Sequence, residues 1–252
     1  MIRIAAAGDT HFDRNSRGRL ARHWHELEGK ADILLLAGDL TQVGHEEEAI
    51  PLAQDLAECP VPVVAVLGNH DFHLDQQDLI TARLREAGIC VLDCGSTVLP
   101  VKGVRMGIYG TKGFGGGFMG ACCADFGEPE TKMFVRRTKV MAENLHRGLS
   151  EMDVDYKVVL MHYSPTPETL LGENKEIYPF LGSYLLGEAV DSAGANVIFH
   201  GHAHKGVEVG ATLGGVPVRN VAQPVIKHAF NLYCLHDFCV SRVIRACGGP
   251  SL

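Results

Sequence analysis

The chain has no Cys-x-x-Cys pair, no uninterrupted apolar stretch approaching the roughly 20 residues of a membrane helix, and no excess of base over acid. Each absence excludes something. The eight cysteines, scattered from Cys59 to Cys247, lack the spacing of a closed zinc site or a redox pair and read as free buried thiols. Gly, Pro or a charge punctuates every apolar run, so no membrane span is expected. The first run, Ile2 to Ala7, is cut off by Asp9 too soon for a signal peptide, and with reduced thiols this leads us to expect a soluble, cytoplasmic protein. With 23 Lys plus Arg against 30 Asp plus Glu, a net charge of −7, the long-range field does not favour a polyanion. Nucleic acid would have to be met through local patches.

What is present is ordinary globular composition, 46% apolar over 252 residues, enough to bury a core without disulfides or structural metal. Metal ligands, where they occur, are then available for chemistry. Three times in the first seventy residues an apolar run stops at glycine: Ile2 to Ala7 before Gly8, Ile33 to Ala37 before Gly38, and Val61 to Leu67 before Gly68. These read as buried strands. Leu20, Trp24 and Leu27, then Ala49, Leu52, Ala53 and Leu56, have helical spacing between them, so parallel pairing with crossovers is expected.

A further helix over Leu79 to Ala87 ends at Gly88, followed by shorter strands at Ile89 to Leu92, Thr97 to Val101 and Val104 to Tyr109. The glycine-rich stretch Gly110 to Gly120 reads as a flexible loop, and Pro129 introduces a helix with Phe134, Met141, Leu145 and Leu149 on one face. Strands at Tyr156 to Met161 and Val197 to Phe199 come next, and antiparallel strands are expected to finish the chain. No repeat, linker or composition shift divides residues 1–252, which read as a single α/β domain with two packed sheets, two subdomains being the alternative.

The chemistry lies just past the end of each strand: Asp9-Thr10-His11, Gly38-Asp39, Gly68-Asn69-His70-Asp71, His162, and Gly201-His202-Ala203-His204. Parallel strands deliver their carboxyl ends to one edge, where distant residues share a crevice. The set offers carboxylate, amide and imidazole donors without thiolate, which suits borderline divalent ions. It exceeds what one tetrahedral ion can use, so two ions are implied, with a bridging carboxylate between them. Asp39, central in the set, is the expected bridge. His200, turned opposite its neighbours by strand alternation, reads as a core residue rather than a ligand.

In this order the blocks D-x-H, G-D, G-N-H-D, H and G-H-x-H resemble the calcineurin-like metallophosphoesterase superfamily, with the resemblance spanning Asp9 to His204. It implies a four-layer αββα sandwich of two mixed β-sheets flanked by helices. It implies one metal on Asp9, His11, Asp39 and His204, and a second on Asp39, Asn69, His162 and His202. These would be two divalent ions drawn from Mn, Fe, Zn or Ni. It implies further that His70 and Asn69 meet the substrate phosphate, and that Asp71 orients the His70 ring for proton transfer. The implied reaction is in-line attack on phosphorus by hydroxide shared between the ions.

Substrate class is less marked. The protein serine/threonine phosphatase branch reads G-D-x-V-D-R-G and G-N-H-E, whereas this chain has Gly38-Asp39-Leu40-Thr41-Gln42-Val43-Gly44 and Gly68-Asn69-His70-Asp71, without that arginine. The short forms look more like bacterial phosphodiesterases, so the expected substrate is a small phosphodiester or a nucleotide. A phosphomonoesterase, a DNA nuclease or a non-catalytic scaffold of the same fold are the alternatives. Phe114 or Phe118 could stack on a base, and the run Lys132, Arg136, Arg137 and Lys139 could meet a polyanion or simply form a solvated helix face.

Overall fold

Alternation along the strands decides the layering. In a computed structural model describing residues 1–236 and 239–242, the first sheet is built from β1 (Ile2–Ala7), β2 (Ile33–Ala37), β3 (Val63–Val66), β4 (Cys90–Leu92), β13 (Asn231–His236) and β14 (Cys239–Arg242). Their spatial order is β14-β13-β1-β2-β3-β4, with β1 to β4 parallel and β13 antiparallel to β1. The second contains β5 (Gly95–Val101), β6 (Val104–Thr111), β9 (Tyr156–Met161), β10 (Val197–His200), β11 (Val209–Ala211) and β12 (Pro217–Asn220), in the order β11-β12-β10-β9-β6-β5. A hairpin of β7 (Gly117–Phe118) and β8 (Ala121–Cys122) stands apart.

Successive side chains on a strand face opposite ways. Ile4 and Ala6 of β1, Ile33 and Leu35 of β2, and Val158 and Leu160 of β9 meet in one core between the two sheets. Their neighbours Ala5, Leu34 and Leu36 face outward against Leu52 and Leu56 of α1 (Ala49–Ala57) and Ile80 and Leu84 of α2 (Gln77–Glu86). On the far side Val159 and Met161 face Leu145 and Leu149 of α3 (Pro129–Ser150) and Leu186 and Val190 of α5 (Tyr184–Ala193). The short helices α4 (Tyr178–Leu181) and α6 (Gln223–Ile226) complete the set among the described residues. The result is the four-layer αββα sandwich of two mixed sheets. Among the described residues no helix is long and apolar enough to cross a membrane.

Several expectations need correction. The segment around Trp24 is a 3-10 helix, Ala21–Glu26, because the buried Asp55 carboxylate accepts the backbone N–H groups of Gly18, Leu20 and Ala21 and ties the segment down by tertiary bonds. The finish is only partly antiparallel, since β12 pairs parallel with β10. The free cysteines are not uniformly buried: Cys234 is, Cys122 is exposed, and Cys59, Cys90, Cys94 and Cys123 lie between. Cys247 and the Cys239 side chain lie outside the described residues.

The glycine-rich stretch is not a loose loop. Gly113 and Gly115 to Phe118 are buried, and the Gly115 carbonyl accepts a hydrogen bond from the Thr138 hydroxyl of α3. Phe118 is therefore enclosed, and Phe114 packs against Phe134 and Tyr163.

Candidate metal centre

The parallel strands β1, β2, β3, β9 and β10 end at one edge of the sandwich, and each passes directly into a segment carrying donors. The backbone there is unusual. Asp9, His11, Asp39 and His202 have positive φ, at 56°, 44°, 48° and 70°. A left-handed conformation at a residue other than glycine costs about 1–3 kcal/mol, and such residues persist where their surroundings over-determine them. Glycine opens the space they need. A Cβ at Gly38 would lie 2.6 Å from Nδ1 of His162, and one at Gly68 would overlap the Asp39 carboxylate.

The structure brings the expected donors together in two groups that share a residue. Asp9, His11, Asp39 and His204 offer one ligand atom each within 4.8 Å of one another, and Asp39, His162 and His202 do the same. Asn69 joins the second group, its Oδ1 lying 2.9 Å from Nε2 of His162. Asp39 is the member common to both groups. Its Oδ1 also accepts the backbone N–H of His70 at 2.8 Å, which fixes the carboxylate. Asp9 is held likewise, by the His202 N–H at 2.9 Å and by Nε2 of His204 at 2.8 Å.

Hydrogen bonding shows what these donors suit. Nδ1 of His162 is 2.9 Å from the Ala37 carbonyl, which can only accept, so the ring proton sits on Nδ1. Burial holds this imidazole well below its ordinary pKa, hence neutral, and Nε2 carries a lone pair. That lone pair points at two further acceptors, Oδ1 of Asn69 at 2.9 Å and Oδ1 of Asp39 at 3.3 Å. Converging lone pairs repel one another and suit a cation. Nδ1 of His11 is also buried without a hydrogen-bond partner. Burial pushes the His11 ring down to about 4 against the pull of Asp39, and His202 to about 3. Neutral imidazoles are the form a metal binds. Burial pushes Asp9 up to about 6, partly opposed by its bond from His204, whose own pKa is raised by the same bond. The residues present thus fit divalent cations.

His70 stands at the rim, its ring 4.5 Å from that of His11 and Nε2 3.9 Å from Oδ2 of Asp39. Its orientation corrects the expectation for Asp71. Nδ1 of His70 lies 2.6 Å from the Gln42 carbonyl, so a backbone group sets the ring. Asp71 is fully buried and occupied elsewhere, accepting from the N–H groups of Leu40, Thr41 and Gly68 and from the Thr41 hydroxyl, at 2.6 to 3.1 Å. It clamps the loop after β2 to the loop after β3. Burial and the neighbouring Asp39 push its pKa up to about 6.

The sequence reading did not find Gln42, because a carbonyl carries no residue signature. Nor did it find the Phe180 carbonyl that accepts from Nε2 of His202 at 3.1 Å; the Tyr163 ring lies 4.4 Å from the same imidazole. His200 is a core residue as expected, bonded to the Gly201 carbonyl and the Thr169 hydroxyl.

The fold agrees with comparison to known proteins. None of the curated proteins matches the sequence significantly. Among solved structures the chain is similar to TT1561 of Thermus thermophilus, with a TM-score of 0.59 at 17% identity, covering 96% of this chain and 98% of that one. It is also similar to GAP50, the anchor in the inner membrane complex of Plasmodium, with a TM-score of 0.58 at 12% identity over 92% of this chain and 80% of that one. A hypothetical protein from Thermus thermophilus gives 0.51 at 16% identity, covering 87% and 75% of the two chains. At such identities the likeness is one of fold. The sequence pattern of the calcineurin-like phosphoesterases matches residues 2–206, a span that contains every donor segment described above. A match of that extent means that the chain belongs to the calcineurin-like phosphoesterase family.

Proposed function

We propose that the protein is a phosphodiesterase that works with two divalent cations held through a shared Asp39. The meeting of two donor groups at that one carboxylate carries the reading. Asp9, His11 and His204 would hold one ion with Asp39, and Asn69, His162 and His202 the other. Bound there, such ions supply Lewis-acid polarisation of the phosphoryl oxygen and lower the pKa of water.

The protein's own groups do the rest. Hydrogen bonds from the His70 and His202 backbone N–H groups fix the Asp39 and Asp9 carboxylates, so no reorganisation is needed when charge develops. His70 donates Nδ1–H to the Gln42 carbonyl, which leaves Nε2 at the centre's rim to exchange a proton with the leaving oxygen. Asn69 and His70 are the residues we assign to phosphate contact. Mn, Fe, Zn and Ni all suit a nitrogen and oxygen donor set, and a reducing cytoplasmic setting accords with the free thiols.

The substrate is a small phosphodiester or nucleotide on this reading. The absence of the phosphatase-type arginine from Gly38 to Gly44 favours a diester over a phosphoprotein. Turnover of bis-p-nitrophenyl phosphate, p-nitrophenyl phosphate and single-stranded DNA with Mn²⁺ tests it. The first should be cleaved fastest. Faster cleavage of the monoester or of DNA would overturn the diester assignment, and inertness with all four metals would leave a scaffold.

A further inference from the structure

A cavity of about 790 Å³ lies beside the metal centre, between the start of α3 and the ends of β4 and β6. Phe72, which directly follows His70-Asp71, forms part of its wall, as does Lys112, whose carbonyl accepts the N–H groups of His162 and Tyr163. The cavity therefore shares structure with the donor loops. Its charge is opposite to that of the chain as a whole. Lys112, Lys132, Arg136 and Arg137 line it, against a single lining carboxylate, Asp93.

Arg136 is engaged by Asp125 at 3.0 Å, but among the described residues none of Lys112, Lys132 and Arg137 has a carboxylate within 4.0 Å. Lys112 is the most telling. It is only 6% exposed, and its Nζ sits among the rings of Phe72, Phe114 and Tyr163 at 4.8, 5.0 and 5.2 Å. Burying an ammonium without a carboxylate is costly, and aromatic faces offset only part of that. The Arg137 guanidinium lies 5.1 Å over the Phe114 ring, which adds a second cation to the same cage. Next to these charges α3 leaves Met133 and Val140, 68% and 54% exposed, facing the cavity without cover. Cations gathered beside an apolar wall match a ligand that is anionic at one end and apolar at the other.

Building on the phosphoester reading, we infer that this cavity receives the part of the substrate remote from the scissile phosphorus, and that this part is a nucleoside phosphate. Its phosphate would lie among Lys112, Lys132 and Arg137, and its ring against Met133 and Val140. Tyr163, whose ring lies 5.2 Å from Nζ of Lys112 and 4.4 Å from the His202 ring, links the cavity wall to the metal centre. The basic face of α3 is thus a ligand surface rather than a solvated one, and the substrate carries at least one phosphate besides the one cleaved.

Equilibrium binding of ADP to the Mn²⁺-loaded full chain, and to the Asp39→Asn variant, tests this apart from turnover. Arg137→Met and Lys132→Met should each raise the ADP dissociation constant about tenfold in both backgrounds, the loss of one charge-assisted contact. Lys30→Met removes an equal charge near the amino end of β2, at the opposite edge, and should leave it unchanged. Adenosine, without the charge, should bind far more weakly than ADP. Dissociation constants within about twofold of wild type in both α3 variants would overturn the assignment, whatever the hydrolytic result. Conversely, ADP binding that depends on Arg137 in a chain inert toward all three phosphoesters with all four metals would keep the cavity assignment and sink the hydrolytic reading.

Discussion

The two ends of β1 and β2 treat a carboxylate in opposite ways. At the amino end, Asp32 is met by the Arg3 guanidinium at 2.8 Å and the Lys102 ammonium at 2.7 Å. Burial works against its charge, but these bonds win and hold its pKa at about 2. At the carboxyl end, Asp9 and Asp39 are buried with imidazoles and each other, and burial pushes Asp9 up to about 6. One end satisfies its charges with permanent side-chain partners. The other gathers acceptors on left-handed residues, an arrangement that a bound cation would satisfy. A stable fold and a binding site are therefore separated along the same two strands.

Breaking the carboxyl end should have the largest effect. Asp39→Ala removes the donor common to both groups, so bound metal and turnover should fall together, turnover by at least about 10³-fold, the upper scale for losing one preorganised electrostatic contact. Elemental analysis of the purified variant beside a bis-p-nitrophenyl phosphate assay checks it. His70→Ala should cost about 10²-fold in turnover with metal content unchanged, since the ring exchanges a proton rather than holding an ion. Loss of metal in that variant would contradict the assignment.

Asp71 sharpens the contrast between holding a loop and doing chemistry. Asp71→Ala strands the donors of Leu40, Thr41 and Gly68 and should lower unfolding stability by about 3 kcal/mol, measured in urea. Asp71→Asn, which keeps an acceptor, should leave the shape of the pH–rate profile intact. A displaced limb would mean that Asp71 sets the His70 proton after all.

The smallest effect belongs to the amino end. Because the folded pKa of Asp32 lies below the ordinary 3.8, its contribution is present above that pH and is lost as pH falls through about 2. Asp32→Asn should cost no more than about 1 kcal/mol at pH 7, given the solvent around Lys102. The difference from wild type should shrink below about pH 4, as urea titrations would show. In metal-free protein Asp9 has the reverse sign: its raised pKa favours the fold at low pH, a contribution lost as pH rises through about 6.

Most of the site was legible because its donors are side chains at strand ends, where an apolar run, a glycine and a polar residue leave a readable signature. Asp9, Asp39, His162 and His204 needed no tertiary knowledge beyond the parallel order of the strands. The alternation of β1 and β2 likewise encodes both cores. What escaped depends on groups without sequence identity or on long-range packing. The Gln42 carbonyl could belong to any residue, and Asp71 binds backbone from two loops that only the folded sheet brings together. Trp24 has helical neighbours, yet Asp55, distant in sequence, draws the segment into a 3-10 turn. Gly113 to Phe118 looked loose for want of side chains, when their absence is what lets α3 and α4 pack closely.

Anomalous diffraction from a manganese-loaded crystal tests the central claim most directly. The account predicts two peaks at the carboxyl edge, each within bonding distance of Asp39, one against Asp9, His11 and His204 and the other against Asn69, His162 and His202. A single peak, or peaks that do not share Asp39, would contradict it.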